Sequence, residues 1–110
     1  MEDFIAEMAR LGLSPREEAG LVICEIIPVT GPRAGTTVEV GVAADELERW
    51  PDEPPHWVHM PADIGFPYRS GPSPKEGWAK HSRNNAGWGD APAAACWTAH
   101  LQAVLAEATG

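Results

Sequence analysis

The sequence predicts an α+β fold, in which a small antiparallel sheet is flanked by an N-terminal and a C-terminal helix. Apolar residues recur at helical spacing near the start of the chain and again after residue 90. Between these regions, residues 21–27 (LVICEII) form an apolar, largely β-branched run, and residues 36–42 (TTVEVGV) alternate apolar and polar side chains. The first pattern is typical of amphipathic helices, and the other two favour strands.

Length and charge limit the classes of function that the chain can serve. Its 110 residues suffice for one domain with a single core, covering residues 1–110, and are too few for two. Sixteen acidic against eight basic residues give a net charge of −8, which repels a nucleic-acid backbone. No apolar run approaches a membrane span, and the acidic N-terminus lacks the pattern of a secretory signal. We therefore expect a cytoplasmic protein with protein partners.

The first half of the chain predicts a helix followed by two paired strands. The helix is predicted over residues 2–12, where apolar side chains share one face: Phe4, Ile5, Met8 and Leu11. Residues 14–17 (SPRE) are typical of one further capped helical turn. The apolar run that follows predicts a buried strand ending at Pro28, and a turn joins it to an antiparallel strand from Thr36.

The second half predicts a further strand, a long loop and the last helix. Residues 43–50 are compatible with one helical turn, and residues 57–60 with a short third strand. Residues 65–89 are rich in Gly, Pro, Ser and Asn without periodicity, which indicates a long irregular loop of the functional type. Asp90 and Pro92 are typical of a helix start. One face of that helix is then marked by Trp97, Leu101, Val104, Leu105 and Ala108.

A proline-rich segment lies between the two halves. In WPDEPPHWV, residues 50–58, Trp50 is followed by Pro51, Pro54 and Pro55. Prolines fix the backbone angle φ and remove amide donors, so the chain turns stiffly without offering an edge to the sheet. We expect this corner to hold the long loop across one end of the sheet. The alternative is that these residues merely pack a corner.

The order of elements, with this corner, resembles the ubiquitin-conjugating enzyme fold. That family carries Tyr-Pro-x-x-Pro-Pro before an apolar strand, at the spacing found here. Residues 64–68 (IGFPY) are similar to the family's Ile-Tyr-His-Pro-Asn, with Pro67 kept. The resemblance implies that Tyr68 takes the place of the Asn that stabilises a developing oxyanion, and that the nucleophile falls within GWAKHS, where no cysteine stands.

Residues 77–89 (GWAKHSRNNAGWG) are also similar to the segment before the last helix in divergent bacterial relatives of this fold. The resemblance implies a bacterial ubiquitin-like conjugation pathway, with a ubiquitin-like protein, an activating enzyme and in some cases a peptidase as partners, and antiphage defence as a purpose. It implies no cofactor. Without the family's cysteine, the chain is expected to be a binding variant. The alternatives are an acyl carrier using Ser82 or Cys96, and a structural or regulatory domain unrelated to conjugation.

The candidate catalytic residues of the acyl carrier cluster around Ser82, which would form an oxyester. His81, or a more distant partner such as His59, would act as its base, with Tyr68 and Asn84 as oxyanion donors. In the binding variant, the residues that contact the partner are Trp78 and Arg83.

The two cysteines and four histidines bear on two further kinds of chemistry. Cys24 and Cys96 both stand in apolar surroundings and are expected to be reduced core residues, with a structural disulfide as the alternative. No Cys-x-x-Cys occurs, and the spacing of His56 and His59 sends their side chains to opposite faces of a strand. We therefore expect no metal site.

Overall fold

The computed structural model describes residues 1–68, 70–83, 85, 87–89 and 91–110. In this part of the chain, two α-helices accompany a six-stranded antiparallel sheet. In chain order the elements are α1 (Glu2–Arg10), β1 (Arg16–Glu18), β2 (Leu21–Ile26), β3 (Val38–Ala43), a 3-10 helix (Ala44–Leu47), β4 (Trp57–Pro61), β5 (Gly71–Pro72), β6 (Trp78–Ser82) and α2 (Ala93–Ala106). The strand order is β1-β2-β3-β4-β6-β5. The α+β class and both terminal helices are as predicted.

The central hairpin follows from the alternation of side chains in β2 and β3. Its register runs from Leu21 opposite Ala43 to Ile26 opposite Val38. Side chains of alternate residues point to one face of the sheet, here called the helix face because α1 and α2 cover it. The strand residues buried there are Val22, Cys24, Ile26, Val38, Val40 and Val42.

Both helices contribute apolar side chains to this core. In α1, Phe4 and Met8 lie one turn apart and are buried. In α2 the buried side chains include Trp97, Leu101, Val104 and Leu105, with Ala108 buried just beyond the helix. This face is the predicted one, and Pro92 precedes the first helical residue. Among the described residues, no helix has the length and apolarity that crossing a membrane requires.

The helical turn predicted over residues 14–17 is wrong, because Arg16–Glu18 forms β1 instead. Ala19 and Gly20 both have positive φ, at 54° and 78°, which is the geometry of a tight two-residue hairpin turn. The turn aligns Arg16 opposite Ile23 on β2. The free edge of β2 offers backbone hydrogen bonds along the strand, which outweigh a local helix cap.

The irregular loop predicted over residues 65–89 also needs correction. β5 and β6 lie within it, and β6 pairs with the whole of β4, from Trp57 opposite Ser82 to Pro61 opposite Trp78. The sequence of β6, WAKHS, contains no β-branched residue. Its extended form therefore results from hydrogen bonds to β4, which is distant in sequence, rather than from local preference.

The opposite face of the sheet, here called the outer face, is covered by the connection between β5 and β6. In this connection the Ser73 hydroxyl hydrogen-bonds Nδ1 of His59 at 2.8 Å, and Nζ of Lys75 lies 2.9 Å from a carboxylate oxygen of Glu18 on β1. Leu21 and Ile23 are also buried, although they belong to the outer face. The connection thus reaches from one side of the sheet to the other.

Candidate functional site

The proline corner turns where predicted and is anchored from α1. Trp50 is buried and packs edge-to-face on Phe4, with ring centroids 4.8 Å apart. Its indole Nε1 donates a hydrogen bond of 2.6 Å to a carboxylate oxygen of Glu7. A buried tryptophan with a charged acceptor for its N–H is strongly held in one orientation.

A second anchor comes from the 3-10 helix. One carboxylate oxygen of Glu46 accepts hydrogen bonds from the backbone N–H groups of His56, at 3.0 Å, and Trp57, at 3.3 Å. Pro55 is buried, Pro54 half-buried and Pro51 exposed, and the Trp50–Pro51 peptide bond is cis. The end of the corner is therefore fixed immediately before β4.

The chain that leaves β6 lies against this corner. The backbone N–H of Arg83 donates to the carbonyl oxygen of His56 at 3.2 Å. Further on, Nε1 of Trp88 donates to the carbonyl oxygen of Asp52 at 3.3 Å, and its ring centroid is 5.3 Å from that of Trp50. The expected contact between the corner and the segment before the last helix is thus present.

Ser82 has a histidine partner, but not one of the two that the sequence suggested. Its hydroxyl hydrogen-bonds Nε2 of His56, and both residues are exposed. The ring of His56 also packs edge-on against Trp57, with centroids 5.3 Å apart. A serine hydroxyl paired with an imidazole nitrogen can pass its proton to that nitrogen when it attacks a carbonyl carbon.

His81 does not lie beside the Ser82 hydroxyl, because successive residues of β6 point to opposite faces. It is opposite Val58, on the helix face, and only 3% exposed. Burial, followed by the charge of Arg83, lowers the pKa of His81. His59 is buried on the outer face with Ser73 as its partner. Neither histidine is placed as the base for Ser82.

Tyr68 belongs to a cluster on the helix face and not to the Ser82 pair. Its hydroxyl donates to the carboxylate of Glu107, and the carbon at the centre of the Arg83 guanidinium lies 3.8 Å from its ring centroid. Burial and this hydrogen bond raise the pKa of Tyr68. Phe66 stacks on Tyr68 at 6.2 Å and lies 4.4 Å from the ring of His81. The oxyanion role expected for Tyr68 would require its hydroxyl to leave Glu107.

The remaining predicted site residues are Trp78, Pro67 and Asn84. Trp78 is half-buried at the start of the strand, with Nζ of Lys75 5.5 Å from its ring centroid. Pro67 is exposed. Asn84 falls outside the described residues. Of all the predicted site residues, the structure therefore brings Arg83 next to Tyr68 and His81, and leaves Ser82 with His56.

Both thiols are free and buried, as predicted. Burial raises the pKa of Cys24 to about 11, which disfavours the thiolate. The S–H of Cys96 lies within donating distance of the carbonyl oxygens of Gly87, at 3.5 Å, and Ala91, at 3.3 Å. A thiol that is covered in this way is not placed for acyl exchange.

Three features of this region were not predicted from the sequence. These are the pairing of Ser82 with His56, the burial of His59 and the approach of His100 on α2 to Arg83. His59 faces a cleft of about 380 Å³ that is also lined by Trp57 and Lys80. Within the parts of the chain described above, no group of three or more His, Cys, Asp or Glu residues is arranged to hold a metal ion.

Comparison of the chain with protein-family models, with curated proteins and with solved structures gave no match.

Proposed function

We propose that this protein is a ubiquitin-conjugating-like component of a bacterial conjugation pathway, and that it binds a ubiquitin-like protein or a partner enzyme without forming a thioester. The supporting observation is that the segment leaving β6 lies against the proline corner, through Arg83 and Trp88, while both cysteines are buried. A pathway component with that architecture and no accessible thiol can position a partner but cannot accept its acyl group on sulfur.

The division of the candidate residues between the two faces of the sheet also favours binding. An acyl carrier needs its nucleophile, base and oxyanion donors around one reacting carbonyl. Here Ser82 and His56 form one pair, whereas Tyr68 and His81 lie in the cluster on the helix face. Trp78, half-buried at the start of β6, and Arg83, just after its end, are the residues to which we assign the partner contact.

The binding function is tested by titrating the protein with the ubiquitin-like protein and the activating enzyme of the same pathway, using calorimetry. We expect saturable binding to at least one of them, and the Trp78→Ala variant to bind at least about ten-fold more weakly, because aromatic anchors dominate interfaces. Val29→Ala is the matched control, since Val29 is 75% exposed and lies in the loop between β2 and β3. Absence of binding to either protein, with the fold intact, would refute the proposal.

The pairing of Ser82 with His56 specifically favours a second candidate function, that of an oxyester carrier. Ser82 Oγ would attack the thioester carbonyl presented by the activating enzyme, the Oγ proton would pass to Nε2 of His56, and the enzyme's thiolate would leave. A new C–O bond replaces the C–S bond, so no oxidant or reductant is required.

Mass spectrometry after incubation with activating enzyme, ATP and the ubiquitin-like protein separates the two functions. An oxyester carrier gives an adduct that resists thiol reductants, is lost in Ser82→Ala and decreases in His56→Gln. Cys96→Ser serves as the control and should leave that adduct unchanged. Measurable binding without any adduct supports the first function and rejects the second.

A further inference from the structure

One edge of the Arg83 guanidinium has no hydrogen-bond partner among the residues that the structure describes. Nη1 donates to the carbonyl oxygen of Ser82 at 2.6 Å, and the face of the group lies over the rings of Tyr68 and Phe66, at 3.8 and 5.2 Å. The remaining edge carries Nε and Nη2, which are buried and have no hydrogen-bond partner among the described residues. Leaving charged donors buried and unpaired is costly, so this edge calls for an acceptor.

Further nitrogen atoms without a partner among the described residues lie on two histidines and on Asn85, which follows Arg83 by two residues in the chain. His81 is only 3% exposed, and neither of its ring nitrogens has a hydrogen-bond partner within the described ranges. The same is true of Nε2 of His100 and Nδ2 of Asn85. After burial, the charge of Arg83 is the next cause that lowers the pKa of both His81 and His100. Phe66 contacts both the guanidinium and the His81 ring, while His100 lies within range of the guanidinium charge.

The chemistry of these groups selects an anionic acceptor. Nε and Nη2 of arginine present two parallel N–H groups that match the two oxygens of a carboxylate. The Asn85 amide nitrogen only donates, and each neutral imidazole has one further N–H to give. We propose that Arg83, with Asn85, His81 and His100, forms a binding site for a carboxylate group.

A monoanion suits this site better than a phosphate dianion. Arg83 supplies a single positive charge, and the protein carries a net charge of −8. The charge of Glu107 partly opposes the lowering of the His100 pKa by burial and Arg83, and its carboxylate already accepts the Tyr68 hydroxyl. A second negative charge on the ligand would be repelled by this carboxylate. Because the unpaired atoms are covered from solvent, nearby side chains must move as the ligand enters.

The carboxylate can belong to a small acid or to the C-terminus of a polypeptide. This inference deepens the proposed function, because Arg83 is one of the residues assigned to the partner contact, and it rests on that function only for the identity of the partner. Its test uses no partner protein. If acetate binds but neither the ubiquitin-like protein nor the activating enzyme does, the proposed function is refuted and the carboxylate site is still supported.

The site is tested by following the imidazole resonances of His81 and His100 by NMR during a titration with sodium acetate, against sodium chloride at matched ionic strength. We expect saturable shifts with acetate only. Arg83→Lys keeps the charge but loses the paired N–H groups, and should weaken binding at least about ten-fold. Arg49→Lys, at an exposed arginine paired with Glu53, is the matched control and should bind like the unmodified protein.

Asn85→Ala is a second variant, to be used if Arg83→Lys does not fold. It leaves the charge intact and should also weaken acetate binding. Equal shifts with chloride, or unchanged acetate affinity in the folded Arg83 and Asn85 variants, would overturn the inference. A peptide with a free C-terminus is then compared with its amide. Tighter binding of the free acid than of the amide assigns the site to a polypeptide C-terminus, whereas saturable binding of acetate without binding of either peptide assigns it to small acids.

Discussion

At the scale of single residues, histidines carry most of the unexpected chemistry of this protein. His56 is exposed and pairs with Ser82, whereas His59 and His81 are each only 3% exposed. Burial of an imidazole disfavours its charged form, and a nearby cation adds to that effect. His59 has both, because Lys80 lies near it across the pairing of β4 with β6. Protonation of His59 is therefore linked to unfolding of the protein.

We predict that the protein loses stability as the pH falls from about 6.5 towards 4. Burial, followed by the charge of Lys80, lowers the pKa of His59 from 6.5 to about 4. In that pH window the unfolded chain binds a proton that the folded protein does not, so the free energy of unfolding decreases as the pH is lowered. The expected loss from His59 is on the order of 2 kcal/mol. Urea denaturation at several pH values measures it.

The matched variants for this prediction are His59→Gln and His56→Gln. Glutamine at position 59 can still hydrogen-bond Ser73 but does not titrate, so the dependence of stability on pH should become shallower, with a residual slope from His81 and His100. The substitution at exposed His56 should leave the slope steeper than in His59→Gln. The same slope in both variants would contradict the assignment to His59.

At the scale of elements, the connections determine how the sheet and the helices meet. The loop between β2 and β3 approaches the end of α2, where the side chain of Gln102 accepts from the backbone N–H of Val29 and donates to the carbonyl oxygen of Ile27. In the same loop, a side chain at Gly31 would lie 2.7 Å from the carbonyl oxygen of Leu105. Only glycine permits that approach, since its φ is +91° as well.

Gly31→Ala should destabilise the protein more than Gly35→Ala. Both positions have positive φ, at +91° and +80°, so each alanine incurs a backbone cost of about 1 kcal/mol. Only at position 31 does the added carbon also meet α2, which should cost on the order of 1 to 3 kcal/mol more. At Gly35 the added carbon has no atom of the described residues within 4 Å, apart from the glycine itself and its chain neighbours. Thermal or urea denaturation of the two variants gives the difference, and equal losses would argue against the close contact.

At the scale of the whole molecule, one core joins elements that are far apart in the chain. Side chains from α1, β2, β3, β4 and α2 meet on the helix face of the sheet. Cys24 on β2 belongs to this core, and Cys96 is buried on α2. Cys24 lies among residues from several elements, so its exposure requires a large opening of the fold. Cys96 is instead covered by the backbone of Gly87 and Ala91 just before α2.

We predict that neither cysteine of the native protein reacts readily with a thiol reagent such as Ellman's reagent. Both should react quickly in concentrated urea, where the fold is lost. The pKa of Cys24, raised to about 11 by burial, makes its native reaction especially slow. The single variants Cys24→Ser and Cys96→Ser assign each reaction. Rapid labelling of Cys96 in native Cys24→Ser would contradict its burial and would restore the thioester alternative.

Features that depend on local patterns could be predicted from the sequence alone. The helical spacing at both ends of the chain, the apolar run of β2, the alternation in β3 and the prolines after Trp50 all act over a few residues. The α+β class, the helix face of α2 and the burial of both cysteines followed from these patterns. Ser82, Tyr68 and Arg83 were also singled out from the sequence, although their arrangement was not.

Which of these residues meet depends on how distant segments pack in the folded protein. β1 forms on the edge of β2, and β6 forms on β4, because partner strands supply the hydrogen bonds that local preference does not. The pairing of Ser82 with His56, which are 26 residues apart, and the position of His81 on the other face both depend on that register. Register is set by contacts between distant segments, and no local pattern in the sequence encodes it.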